Sequence, residues 1–255
     1  MYSAFRILVL LLVVAPFVSA LLVWPMRQRA ARRVALWLAL LHLGLAVAVV
    51  AGTVMAVGVR EENADQTPGT DYSYQRFYPE FVPGDPGVGG SDSGTGTTKW
   101  TLLRLADTPD GRPGPRVQFF LGADGLNVWL VALCSVMMLP AILVSWSGIS
   151  DRAGSYYAWL FVLQGGAVGA FLSFDVILFY AFFELTLVPA FFLIGHWGNG
   201  SGRRDAARKF FLYTLAGSLL TLVGVIGVAL TTPVTLRTPA GPLTTYTFAL
   251  PDLMV

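Results

Sequence analysis

The chain has 255 residues, of which 55% are hydrophobic and only 13% charged, and its formal net charge is +2. A soluble domain needs roughly a quarter of its residues charged to cover its surface, so much of this surface must face something other than water. The small net charge and the absence of any long basic tract exclude a nucleic-acid partner, and a single cysteine excludes an internal disulfide or a zinc cluster.

A membrane-spanning helix needs about 20 apolar residues to cross a hydrocarbon core ~30 Å thick. In chain order the first such run is Ile7–Trp24, and the second, Val34–Val59, holds His42 as its only ionisable group. The third is Leu126–Ser147, with Cys134 inside it as a small buried apolar side chain. The fourth is Tyr156–Ser173, the fifth Val176–Trp197 with Glu184 as its single acid, and the sixth Phe210–Leu230. The expected fold is all-α, a polytopic bundle of about six transmembrane helices lying in a lipid bilayer. The first run has a rival reading: a basic start, an apolar stretch and Val18-Ser19-Ala20 resemble a cleavable signal peptide. Its continuation past Ala20 to Trp24 and into an arginine cluster suits a retained anchor better.

Orientation follows from basic residues in the loops. Arg27, Arg29, Arg32 and Arg33 separate the first two runs, and Arg203, Arg204, Arg208 and Lys209 separate the fifth and sixth. Both loops are an odd number of crossings from the N-terminus, so both are expected on the cytoplasmic side, although Arg112 and Arg116 count against this. The expected organisation is therefore residues 1–59 as two helices, 60–123 as an extracytoplasmic loop, 124–230 as a core of helices three to six, and 231–255 as an extracytoplasmic tail. The middle of the long loop, Val82–Thr98, is rich in Gly, Ser, Pro and Asp and reads as mobile. Lys99–Leu105 and Val117–Leu121 have strand-like composition around Pro109-Asp110-Gly111, which predicts a β-hairpin. No phosphate loop, nucleotide fingerprint or Cys/His metal pattern occurs, so no redox cofactor or metal can be placed in the chain.

Glu184 is the most informative residue. An acid at mid-membrane costs ~2.5–3.5 kcal/mol on insertion scales, and such residues face a bundle interior or a water-filled path. Burial disfavours the charged carboxylate and a nearby cation favours it, so a group balanced between the two can exchange a proton. The bland alternative is a protonated glutamate hydrogen-bonded for packing. Pro189, five residues on, removes the amide donor to residue 185 and is expected to bend the helix. Asp175 is nine residues before Glu184, which places the two on opposite helix faces. It caps the helix or lines its mouth. Lys209 reads as a topology anchor or as a lysine reaching inward. Gly165, Gly166 and Gly169 form a small-residue face for close packing, and His42 and His196 read as helix or interface residues.

The segment Phe182-Phe183-Glu184-Leu185-Thr186-Leu187-Val188-Pro189 continues through Phe192-Leu193-Ile194-Gly195 and Trp197-Gly198. Ala206-Ala207-Arg208-Lys209-Phe210-Phe211-Leu212-Tyr213-Thr214 and Gly217-Ser218 follow, and Leu121-Gly122-Ala123-Asp124-Gly125-Leu126 lies upstream. From about Phe119 to Gly227 the chain resembles the chain M/ND4 type of antiporter-like subunit of NADH:quinone oxidoreductase, respiratory complex I. The resemblance implies that Glu184 is the family's essential glutamate of the fifth helix, which pairs with a lysine on a broken seventh helix. Lys209 matches the lysine at the start of helix six, not that partner.

The resemblance further implies a proton-translocating subunit of a bacterial inner membrane, with other complex I membrane subunits as partners. NADH, flavin, iron–sulfur clusters and quinone then belong to other subunits. Family members have about fourteen helices, so either a truncated product or a second polypeptide supplying the rest is expected. Alternatives are the large subunit of a multisubunit Na⁺/H⁺ antiporter or of a membrane-bound hydrogenase, and a non-transporting anchor or assembly fragment.

Overall fold

The computed structural model describes residues 2–64, 99–104, 116–231, 234–238, 241–245 and 248–250. Six helices carry the fold: α1 (Tyr2–Val23), α2 (Gln28–Ala64), α3 (Asn127–Gly148), α4 (Ala153–Leu172), α5 (Val176–Trp197) and α6 (Arg203–Thr231). Five, α2 to α6, are long and apolar enough to cross a membrane, and α1 adds the shorter apolar stretch Ile7–Val23. This is a multi-pass helical membrane protein. Leu21, Trp37, Val144 and Leu220 are each more than 70% exposed, a surface that only hydrocarbon would cover at low cost.

Several helices outrun the apolar stretches that announce them. α2 begins at Gln28, before Arg29, Arg32 and Arg33, and α6 begins at Arg203. The hydrocarbon core limits the apolar run and not the helix, and arginine and lysine are good helix formers. The first turns therefore continue as helix beyond the apolar span. At the far end of α2 the helix persists to Ala64, five residues into the expected loop.

α4 is the central element, packed against α1, α2, α3 and α5, whereas the main neighbour of α6 is α5. Glycine explains how α4 touches so many neighbours. A Cβ built on Gly165 would lie 2.8 Å from the Phe17 ring of α1, and one on Gly166 would lie 2.9 Å from Thr186 Cγ2 of α5. One on Gly169 would overlap the Phe182 ring. The three glycines thus form the close-packing surface that their spacing suggests. α2 closes on the bundle through small residues as well, with Ala31, Ala35, Ala39 and Ala46 all fully buried.

The two ends of the bundle are tied differently. At the arginine-rich end, Arg32 Nη2 and Gln28 Nε2 both donate to the Ile149 carbonyl, at 2.8 and 3.1 Å. Trp197 Nε1 donates to the Asp151 carbonyl at 3.1 Å. At the opposite end, strands β1 (Lys99–Arg104) and β2 (Arg116–Phe120) form the antiparallel hairpin expected of these segments, with a register shift between Thr101 and Leu103. The intervening Pro109-Asp110-Gly111, like Val82–Thr98, lies outside the described residues. A second hairpin, β3 (Val234–Thr238) paired with β4 (Gly241–Thr245), was not foreseen in the polar tail. Val234, Thr235, Leu236 and Thr238 are residues that suit a pleated strand, but the prolines around them obscure the pattern.

Candidate functional site

α5 is positioned from its first residue. The Asp175 carboxylate accepts from the backbone amides of Ile177 and Leu178, at 3.0 and 3.1 Å, which satisfies two of the donors a helix start leaves free. Its other oxygen accepts from the Gln118 amide of β2 at 2.9 Å. Asp175 is fully buried, so this one carboxylate fastens the hairpin to the start of α5. Backbone bonds reinforce the joint: Phe174 N donates to the Phe120 carbonyl at 2.8 Å, and Val176 N to the Phe248 carbonyl at 2.9 Å. Of the two readings of Asp175, the cap is the one the geometry describes. Asp175→Ala should therefore lower the thermal unfolding midpoint of the purified protein. The lost cap costs about 0.5–2 kcal/mol, and a stranded buried amide adds about 1–3 kcal/mol.

From this anchored start α5 runs unbroken through Pro189 to Trp197, and Glu184 falls near its middle. Phe182 and Thr186 face the glycines of α4. Glu184 stands two residues from each, about 200° around the helix, and so points to the other side, toward α6. Tyr180 is one turn away on the same face, and its hydroxyl lies within interaction range of both Glu184 and Ser218 of α6. Glu184 Oε1 and the Tyr180 hydroxyl are nonetheless buried atoms without a hydrogen-bond partner. Two unpaired polar oxygens side by side in an apolar layer form a site that water, a proton or a donor from elsewhere would stabilise.

The other candidates lie apart from this group. Ala207, Ser218 and Ala229 mark the buried stripe of α6, recurring every 11 residues, which is close to three full turns. Lys209 is off that stripe and exposed in the second turn of the helix, at the arginine-rich end. Nine residues separate it from Ser218, about 13 Å along the axis. His196, in the last turn of α5, is exposed beside Phe192 and Trp197. No group of three or more His, Cys, Asp or Glu that could hold a metal occurs among the described residues. Tyr180 and Ser218 went unnoticed in the sequence. A tyrosine four residues before the lone acid was the available signal for the first, and Ser218 needed the register of α6.

A family model described as the transmembrane region of NADH:quinone oxidoreductase and Mrp antiporter subunits matches residues 173–238. That segment runs from Ser173, three residues before the start of α5, to the end of β3 and contains Tyr180, Glu184 and Ser218. Over those residues the chain is similar to the antiporter-like membrane subunits of the complex I and Mrp type. Among these relatives, NADH-quinone oxidoreductase subunit M of Pseudomonas aeruginosa is 37% identical over 142 residues, which are 49% of this chain and 28% of that protein. Subunit M of the F(420)H(2) dehydrogenase of Methanosarcina mazei is 36% identical over 111 residues, 44% of this chain and 22% of that protein. The match thus spans about a quarter of the length of the curated relatives.

The solved structure of respiratory complex I from Thermus thermophilus contains a chain with the same helix arrangement. Its TM-score is 0.57 at 23% identity, and the match covers 96% of this chain and 38% of that one. The shared fold extends well beyond the family-matched segment, into α1 and α2.

Proposed function

We propose that this chain supplies part of a proton pathway in a complex I-type membrane subunit, with Glu184 as the proton carrier. The observation that carries the reading is Glu184 Oε1, buried in mid-helix without a protein partner beside the equally unpaired Tyr180 hydroxyl. Both lie in the family-matched segment. An acid in the apolar part of a membrane helix is placed to pass a proton to water or to a donor that reaches it. Electron transfer from NADH to quinone takes place in other subunits. Its energy reaches this one as a shift in the charges and water near Glu184.

The unpaired Tyr180 hydroxyl, one turn from Glu184, is available to the carboxyl as a hydrogen-bond donor, and Ser218 provides an amphoteric hydroxyl on the facing helix. Asp175 orients the helix through its cap. Lys209 acts at the membrane surface, because its exposed position off the α6 stripe keeps it away from the carboxylate. The partners are neighbouring membrane subunits of the same complex. The test is proton release by the whole complex in sealed vesicles, driven by NADH oxidation, with Glu184→Gln in the complete subunit. Undiminished proton release in an assembled complex would remove Glu184 from the pathway.

A second reading is favoured by the breadth of the family description, which names Mrp antiporters beside the quinone oxidoreductases. In that case the same site exchanges protons against sodium. Proton uptake driven by an imposed sodium gradient, without NADH, separates the two.

A further inference from the structure

A second polar cluster lies on the opposite side of α4, away from Glu184. His42 of α2 is fully buried, and Ser19 of α1 and Gln164 of α4 are each 3% exposed. His42 Nε2 is 3.1 Å from Ser19 Oγ, and Nδ1 is 3.1 Å from Gln164 Oε1. The Ala15 carbonyl of α1 lies against the same ring, and Phe161 meets it edge to face with centroids 5.4 Å apart. Gln164 Nε2 has no partner. The three residues come from three helices and converge in the apolar middle of the bundle.

We propose that Ser19, His42 and Gln164 form a second proton-holding site within the membrane, separate from the one at Glu184. The geometry accepts both protonation states of the ring. In the neutral ring, Nδ1–H donates to Gln164 Oε1, and Nε2 accepts from the Ser19 hydroxyl. When a proton adds to Nε2, the new N–H donates to Ser19 Oγ. The serine hydrogen then turns to a carbonyl one turn back, the bond that serine commonly makes in helices, and Ala15 is the residue four before it. Neither ring nitrogen is left without a partner in either state.

The unpaired Gln164 amide is the point where water would be held, since buried amides without partners are costly and internal waters relieve them. No Asp or Glu occurs on α1, α3 or α4. The titratable residues of α1 are Tyr2 and Arg6 near its start, α3 offers Cys134, and α4 offers Tyr156 and Tyr157. On α2 itself Arg29, Arg32 and Arg33 precede the apolar span, and Arg60, Glu61 and Glu62 follow it. The charge is therefore held by hydrogen bonds alone, and the proton is bound loosely enough to leave.

The chain has only two histidines, so His196→Asn leaves His42 as the sole imidazole. The full chain with ¹⁵N-labelled histidine in phosphatidylcholine–phosphatidylglycerol vesicles should show one ring by solid-state NMR. Its signals should pass from a neutral tautomer to imidazolium as the pH falls below neutrality. Ser19→Ala should shift the midpoint of that change, and Glu184→Gln should leave it where it was. A ring that stays neutral at every pH at which the protein remains folded would overturn the proposal and leave a packing cluster. A titration that vanishes with Glu184→Gln would also overturn it, because the site would not be separate.

Discussion

Replacing Glu184 by glutamine should reduce coupled proton transport by tenfold or more while the subunit still assembles. Glutamine has the shape and hydrogen-bonding reach of the protonated acid but cannot release a proton. Removing a positioned proton-transfer group typically costs 10²–10⁴-fold, and leakage through other routes sets the observed floor. Glu184→Asp separates charge from geometry: it still ionises but is one methylene shorter, so it should retain an intermediate rate. Tyr180→Phe should cost about fivefold or less, because a neutral hydrogen bond is worth about 1 kcal/mol. Incorporation of each variant into the complex, read on a native gel, separates a lost proton step from a lost fold. If glutamine and aspartate behave alike, the defect is one of packing and not of proton transfer.

How much of this was legible beforehand depended on the distance between the residues concerned. The helices were readable because each apolar run is local and long, and their ends were not, because polar turns can remain helical outside the membrane. Glu184 stood out as one acid among the 22 residues of α5. Its surroundings did not: Ser218 lies 34 positions away on another helix, and only the antiparallel register of α5 and α6 brings it level. The His42 cluster is the clearest failure. From the sequence His42 reads as a helix or interface residue, whereas its partners are 23 positions upstream and 122 downstream. No local pattern predicts that Ser19 and Gln164 share its layer. Asp175 was a matter of degree, since an aspartate before a helix is an expected cap, but its bond to Gln118 depends on the hairpin returning to the same end of the bundle.

The same contrast between local pattern and assembled contact governs the glycines, and one of them should be nearly irreplaceable. Gly154, the second residue of α4, was not singled out by any motif. A Cβ there would lie 2.6 Å from the Trp24 carbonyl oxygen, 2.7 Å from that of Met26 and 2.8 Å from that of Val23. All three are backbone atoms at the end of α1, held by the Met26-to-Val23 and Trp24-to-Ala20 hydrogen bonds. No side chain there can rotate out of the way. Gly154→Val should cost about 3 kcal/mol or more, the upper part of the range for overpacking. Gly165→Ala should cost about 1 kcal/mol, because its obstacle is the outer edge of the Phe17 ring, which can turn. Gly44→Ala meets nothing within 4 Å and should be neutral or slightly stabilising, as alanine favours helix over glycine. Thermal unfolding in detergent ranks the three. The order matters for function, because α4 presents Gly166 and Gly169 to α5 on one side while Gly154 seats it on α1 on the other. Displacing its start by even an ångström would turn the face of α5 that holds Glu184, so Gly154→Val should also impair proton transport in complexes that still assemble. Equal stability of the Gly154→Val and Gly44→Ala variants would mean that the end of α1 yields, and that α4 is not held there.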